Sequence, residues 1–120
     1  MNQDYYTGYE GYPELRVSLR RGSEVAAAIR VWSGYFNQLM DLLPKCEGKW
    51  TGIAKHYHLD TGWYDASPWV DPNAGDSVCQ LRYAVARCPD GPPREFGEAW
   101  LRLLDEAAND PDSVVTIEYD

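Results

Sequence analysis

Apolar residues recur along this chain with two different periods, and the order of those periods constrains the fold more than any other feature. Residues Glu14–Arg21 alternate between apolar and polar side chains, which is the pattern of a half-buried strand. The side chains predicted to face the core are Leu15, Val17 and Leu19, and those predicted to face outward are Arg16, Ser18 and Arg20. Gly22 ends this strand.

Two stretches have helical spacing instead. Ser23 is a suitable N-cap, and the apolar residues after it recur three and four apart as far as Pro44, so a helix of about 20 residues is predicted. The apolar residues of this helix are Val25, Ala28, Ile29, Trp32, Phe36, Leu39, Met40 and Leu43. A second helix is predicted after the turn at 88–93, and its apolar stripe is Phe96, Ala99, Trp100, Leu103, Leu104 and Ala107.

Three further strands are predicted at Trp50–Leu59, Val78–Arg87 and Val114–Tyr119. The first carries apolar residues on both faces, so its pattern does not decide which face is buried. In the other two, the residues predicted to face the core are Cys79, Leu81, Tyr83 and Val85, and then Val115, Ile117 and Tyr119.

This order predicts an α+β fold with a four-stranded antiparallel sheet and two helices on one face, in the ferredoxin-like order β-α-β-β-α-β. A long loop, 60–76, would join the second and third strands, and a different α+β topology is the alternative if that loop holds another strand. Residues 1–120 are predicted to form a single domain. Residues 1–13 are predicted to form a loose arm or a strand edge held by stacked tyrosines, and the alternative is an aromatic arm at a binding surface.

The charge is unevenly distributed along the chain. Residues 1–55 carry seven Lys or Arg and six Asp or Glu, whereas residues 56–120 carry four and thirteen, so the net charge of −8 comes from the second part. Nucleic-acid binding requires a basic surface, so a basic protein partner is predicted instead. No stretch resembles a membrane span or a signal peptide.

The three cysteines are predicted to be reduced, which indicates a cytoplasmic protein. Cys79 and Cys88 would lie about 30 Å apart on an extended strand, too far to pair. Cys46, with Lys45 and Lys49 nearby, is a possible nucleophile if a histidine reaches it.

Two short motifs in the middle of the chain could carry chemistry. His56, His58 and Asp60 recur with period two, a spacing that can chelate a metal, and they resemble the opening of the metallo-β-lactamase motif, in which a histidine stands where this chain has Thr61. Asp60-Thr61-Gly62 matches the aspartic-protease tripeptide, although a tight turn explains it equally well. The prediction is therefore a binding protein, not an enzyme, with no cofactor or metal.

The predicted binding surface combines large aromatic rings, which supply anchors, with carboxylates, which steer a basic partner. Its residues are His56, His58, Trp63, Tyr64, Asp65, Trp69, Asp71 and Asp76. The alternative is that Trp63 and Trp69 close the end of the core beneath the loop.

The whole chain resembles the immunity proteins of bacterial toxin systems in being short, acidic and α+β without catalytic motifs. The segments Gly62-Trp63-Tyr64-Asp65 and Ser67-Pro68-Trp69 add to this resemblance. It implies that the chain inhibits a cognate toxin, such as a nuclease with a basic cleft. A phage-encoded inhibitor of a host defence system, of the anti-CRISPR kind, and a small ligand-binding or enzymatic ferredoxin-like domain are the alternatives.

Overall fold

A computed structural model describes residues 2–43, 48, 53, 56–57 and 69–119. Within these residues the chain has an α+β arrangement of five strands and three helices with defined ends. The strands are β1 (Asn2–Tyr5), β2 (Glu14–Arg21), β3 (Glu24–Trp32), β4 (Trp69–Val70) and β5 (Ser113–Tyr119). The helices are α1 (Ser33–Met40), α2 (Ala74–Arg87) and α3 (Pro92–Ala108).

The five strands form one mixed sheet in the order β1-β3-β2-β5-β4. β1 runs parallel to β3, and the other neighbouring pairs are antiparallel. A two-residue loop, Gly22-Ser23, joins β2 to β3, and Gly22 has a φ of 62° there. Glycine adopts that left-handed conformation without a steric penalty, so the loop sequence favours a tight hairpin.

The core lies between the three helices and one face of the sheet. β2, β3 and β5 contribute aliphatic side chains, and the helices contribute larger ones. The fully buried side chains of greatest volume include Trp100, Phe36, Phe96, Leu15, Leu19, Ile29, Leu39 and Leu104. Phe36 and Trp100 are stacked with their ring centroids 5.8 Å apart, which fixes α1 against α3.

The predicted ferredoxin-like fold is wrong. The described residues form a five-stranded mixed sheet with three helices, and not a four-stranded antiparallel sheet with two. The predicted helix after Ser23 accounts for most of this error, because residues 24–32 form β3 and the helix begins only at Ser33.

The apolar residues of β3 fit both the alternation of a strand and the spacing of a helix. Ile29 and Val31 are buried while Ala28 and Arg30 lie on the other face, which is strand alternation. β-branched residues favour strands, and the tight hairpin places this segment directly beside β2. Pairing with β2 therefore outweighs the helical spacing of the same apolar residues.

The predicted strand at 78–87 is also wrong, because these residues belong to α2. Their buried residues recur at helical spacing, whereas Cys79 and Tyr83, predicted to face the core, are exposed. Asn73 caps the helix, because its side chain accepts the backbone N–H of Asp76 at 3.2 Å. An N-cap residue predicts the start of a helix, and a prediction made only from alternating hydrophobicity does not use it. The extended spacing between Cys79 and Cys88 is therefore wrong too, although both are free thiols.

The remaining predicted elements had mixed outcomes. The strand at 14–21 is confirmed with its predicted faces, as are the helix around Phe96–Ala107 and the final strand. Most of the predicted strand Trp50–Leu59 lies outside the described residues, and the three described positions in it, Ile53, His56 and Tyr57, are helical. The predicted long loop contains the two-residue strand β4.

Aromatic rings pack the N-terminal residues against the end of β3. Tyr9 stacks on Trp32 with ring centroids 4.2 Å apart, and the hydroxyls of Tyr9 and Tyr35 are 2.7 Å apart. β1 precedes this cluster and pairs with residues 28–31 of β3. None of the helices in the described ranges is long and apolar enough to cross a membrane.

Candidate functional site

The structure describes half of the residues predicted to contact a partner. These are His56, Trp69, Asp71 and Asp76. The other half, His58, Trp63, Tyr64 and Asp65, lies outside the described residues. Cys46, Asp60 and Thr61, on which the nucleophile, metal and protease hypotheses depend, lie outside them as well.

His56 and Trp69 pack against each other. Their rings are stacked with centroids 4.2 Å apart and an interplanar angle of 8°. His56 is buried, and Trp69 is partly buried and packs against the core. These contacts agree with the alternative in which Trp69 closes the end of the core, and they leave only part of its ring for a partner.

Asp71 follows β4 and organises the start of α2. Its carboxylate accepts the hydroxyl of Ser77 at 2.5 Å and the backbone N–H of Asn73 at 3.0 Å. Its own N–H donates to the carbonyl of Val115 at 2.9 Å. Burial raises the pKa of Asp71, while the hydrogen bonds from Ser77 and Asn73 and the nearby His56 oppose that shift. Asp71 is therefore a buried structural carboxylate.

Asp76 differs from Asp71 because it is exposed in the first turn of α2, where a carboxylate interacts favourably with the positive end of the helix. Ser77 next to it is fully buried and donates its hydroxyl to Asp71, so it cannot serve as a nucleophile. Among the described residues there is no group of three or more His, Cys, Asp or Glu that could hold a metal ion.

A second acidic region lies at the end of α3 and is called the acidic end here. Its residues are Asp105, Glu106, Asp110 and Asp112. Hydrogen bonds from Ser113 and the N–H of Asp112 lower the pKa of Asp110. Arg21 contacts Glu106 at 3.6 Å and Asp110 at 3.4 Å. This ion pairing joins the acidic end to the end of β2.

The face of the sheet opposite the helices is called the open face here. Its central residues are Arg16, Ser18, Arg20, Ala28, Arg30, Thr116 and Glu118, as the strand register places them. A concavity of about 520 Å³ lies on it between Asp4 and Glu118. Val25, Val70 and Val114 are 50%, 51% and 39% exposed, and the register places Val70 and Val114 beside Thr116 and Arg20.

The arginines of the open face are paired with carboxylates of the same face. Arg30 contacts Glu14 at 2.6 Å, and Arg20 contacts Glu118 at 2.9 Å. Arg16 lies 4.0 Å from Glu14, at the limit of an ion pair. Asp4, 3.7 Å from Arg30, is a third carboxylate for the three arginines, so the centre of the face is close to electrically neutral.

Sequence reasoning identified only part of this face. The alternation in β2 correctly placed Arg16, Ser18 and Arg20 on the face opposite the core, although Ser18 is buried there. Ala28 and Arg30 were missed because their segment was assigned to a helix. The two-residue Gly22-Ser23 loop is the signal that could have identified them.

Comparisons with known proteins add no family to this description. No protein-family model matches the chain, and neither a curated protein nor a solved structure matches it.

Proposed function

We propose that the chain is a small acidic cytoplasmic binding protein, not an enzyme, that neutralises a basic protein partner. An immunity protein bound to a cognate toxin, such as a nuclease-type effector, is the form of this function that we favour. The observation that carries the proposal is the excess of carboxylates in the second part of the chain: residues 69–119 hold ten Asp or Glu and four Arg. Such a field attracts a basic partner and accelerates association.

Some carboxylates lie where they do not stabilise the fold, which supports a role for them in binding. Asp105 and Glu106 lie in the last turn of α3, which has no basic residue. Carboxylates near this negative end of a helix destabilise it by about 0.3–1 kcal/mol each. Arg82 and Arg21 contact them at 3.7 and 3.6 Å, but these pairs are about half exposed and contribute little.

The small-ligand alternative predicts a pocket between a helix and the sheet. A cavity of about 300 Å³ lies there, between α3 and the edge of β3. Two of the charged residues at its rim, Arg21 and Glu106, are paired with each other. Protein binding is therefore the better supported function, and a thermal shift with small ligands in the absence of a protein would favour the alternative.

The test is capture of the partner in the organism that encodes the chain. Tagged protein is recovered at low salt and again at about 1 M salt, where the screening length falls to about 3 Å, and bound proteins are identified by mass spectrometry. The expected result is one stoichiometric basic protein that is lost at high salt. An acidic partner, a salt-insensitive one or no partner would overturn the proposal.

A charge-matched pair of variants sharpens this test. Asp105→Asn/Glu106→Gln/Asp112→Asn removes three charges from the acidic end. Glu10→Gln/Asp41→Asn/Asp90→Asn removes three exposed charges elsewhere. Greater loss of the partner with the first triple variant would show that the position of the carboxylates matters, and equal loss would show that only net charge does.

A further inference from the structure

The charges of the open face balance, whereas those on the helix side of the sheet do not. Among the described residues, the face carries three arginines and three carboxylates, which are Arg16, Arg20, Arg30, Asp4, Glu14 and Glu118. Residues 74–112, which form α2, α3 and the turns after them, carry eight carboxylates and four arginines. Two copies of the chain therefore repel each other least when their open faces meet.

We infer that two copies of the chain pack open face to open face, related by a twofold axis that runs between β2 and β5 and parallel to them. This inference does not depend on the proposed function. Such an interface is isologous, so each contact occurs twice. The same surface must therefore be complementary to itself.

The shape of the open face meets this condition. The concavity of about 520 Å³ lies over β2 and β3, on one side of the axis, with Ala28 among its lining residues. Val70 on β4 and Val114 on β5 lie on the other side of the axis and are 51% and 39% exposed. Side chains interdigitate between packed sheets, so the valines of each copy fit the concavity of the other.

The strand register identifies which residues meet. Ala28, Ser18, Thr116 and Val70 form one row across β3, β2, β5 and β4. An axis between Ser18 and Thr116 exchanges the two ends of this row, so Val70 of one copy lies over Ala28 of the other. Packed sheets align to within about 30° of each other, and the match is therefore closest near the axis.

The charged row beside it is complementary in the same way. Arg16 lies opposite Glu118 in the β2–β5 register, so the axis brings Arg16 of one copy over Glu118 of the other. Among the described residues Arg16 has one ion pair, at 4.0 Å from Glu14, which Arg30 contacts at 2.6 Å. The guanidinium of Arg16 consequently keeps donors for the second copy. Glu118 contacts Arg20 of its own copy, and a carboxylate accepts more than one hydrogen bond.

The acidic surfaces of the two copies stay apart in this arrangement. Sheets packed face to face lie about 10 Å apart, and the helices of each copy lie on the far side of its sheet. The separation of the two helix layers therefore exceeds the Debye length, which is about 8 Å at 0.15 M salt. Salt screens most of the repulsion between the net charges of −8.

The area of the open face predicts a weak dimer. Three strands about 25 Å long and two short edge strands, spaced about 4.8 Å apart, give a flat area of roughly 500 Å². A stable interface buries about 800 Å² on each partner. Association is therefore expected in the micromolar range or weaker, and it must be measured at high protein concentration.

Sedimentation equilibrium of the purified protein, from about 5 µM to about 500 µM, tests the dimer. The average mass should rise from that of one chain toward that of two. Val70→Arg should raise the dissociation constant about tenfold or more. Tyr83→Arg makes the same charge change on α2, where Tyr83 is 41% exposed, and should change the constant by less than about threefold. Val114→Arg replaces Val70→Arg if the latter lowers the melting temperature. A natural protein that stays monomeric throughout, or equal weakening by both substitutions, would overturn the inference.

A charge exchange tests the position of the axis. Arg16→Glu alone and Glu118→Arg alone should each abolish the dimer, because each brings like charges together twice across the axis. An equimolar mixture of the two variants should dimerise again, because both contacts then join opposite charges. A mixture that stays monomeric, or a single variant that dimerises as well as the natural protein, would overturn the proposed arrangement.

Discussion

At the scale of the residue, Asp71 links the stability of the fold to pH. Its carboxylate is buried and bonded to Ser77 and Asn73, and burial raises its pKa above 3.8. Between that ordinary value and the raised one, the folded chain holds a proton that the unfolded chain has lost. The free energy of unfolding therefore falls as pH rises through this window, because the folded chain must give up that proton.

Asp71→Asn should remove this dependence. The amide can keep both contacts, because the hydroxyl of Ser77 can turn to accept a hydrogen bond, and it cannot ionise. The free energy of unfolding of the variant relative to the natural protein should rise between about pH 3.5 and pH 7, measured by urea denaturation. A difference that does not change with pH would contradict the role given to Asp71.

Asp76→Asn is the control for this substitution, since it makes the same chemical change at an exposed position in the first turn of α2. It removes a favourable interaction with the positive helix end and should cost about 0.3–1 kcal/mol at neutral pH, measured in the same urea titration. A rise in relative stability between about pH 3.5 and pH 7 for Asp76→Asn as large as that for Asp71→Asn would show that lowering the net charge, and not the burial of Asp71, causes the effect.

Trp69 distinguishes a packing residue from an exposed anchor. Its ring stacks on His56 and packs against the core, so Trp69→Ala should lower the free energy of unfolding by about 3 kcal/mol, the low end for a large aromatic ring. Trp69→Phe, which keeps a stacking ring, should cost much less. A loss within about 0.5 kcal/mol for Trp69→Ala would indicate an exposed anchor instead.

At the scale of the element, the sequence predicts a helix or strand correctly where its apolar residues match only one of two patterns, strand alternation or helical spacing. β2 and β5 alternate, and the apolar stripe of α3 cannot be read as a strand. β3 and α2 satisfy both periods over short windows, and their outcome depends on Gly22 and Asn73, the residues that close the hairpin and cap the helix. The local pattern of apolar residues alone does not show whether such a segment forms a helix or pairs with a distant strand.

Gly97 shows how closely the helices pack. A Cβ added there would lie 2.6 Å from Cγ2 of Val85 on α2 and 3.0 Å from Cδ2 of Leu39 on α1. Gly97→Ala gains about 1 kcal/mol of helix propensity and loses about 1–3 kcal/mol to overpacking. The net effect should be a loss of about 1 kcal/mol in the free energy of unfolding.

A double-mutant cycle tests whether Gly97 and Val85 are in close contact. Val85→Ala should cost less stability in the Gly97→Ala background than alone, with a coupling of about 1 kcal/mol, because it removes the clash. Gly75→Ala, in the first turn of α2 with only the Asn73 side chain nearby at 3.3 Å, is the control and should not be coupled to Val85. Additive effects at 97 and 85 would contradict the close packing.

At the scale of the molecule, the two faces of the sheet have different roles. One is covered by α1, α2 and α3, and the other presents arginines paired with carboxylates, with exposed valines on the same strands. Composition predicted a basic partner, and alternation in β2 predicted three of the outward residues. The face as a whole could not be predicted, because it forms only when β3 and β5 pair on either side of β2.

The association rate with the captured partner, measured as a function of salt, tests the central claim most directly. If an acidic chain binds a basic protein, the rate constant for association should fall about tenfold or more between about 0.05 M and 0.5 M salt, while dissociation changes little. An association rate that does not depend on salt would contradict the account.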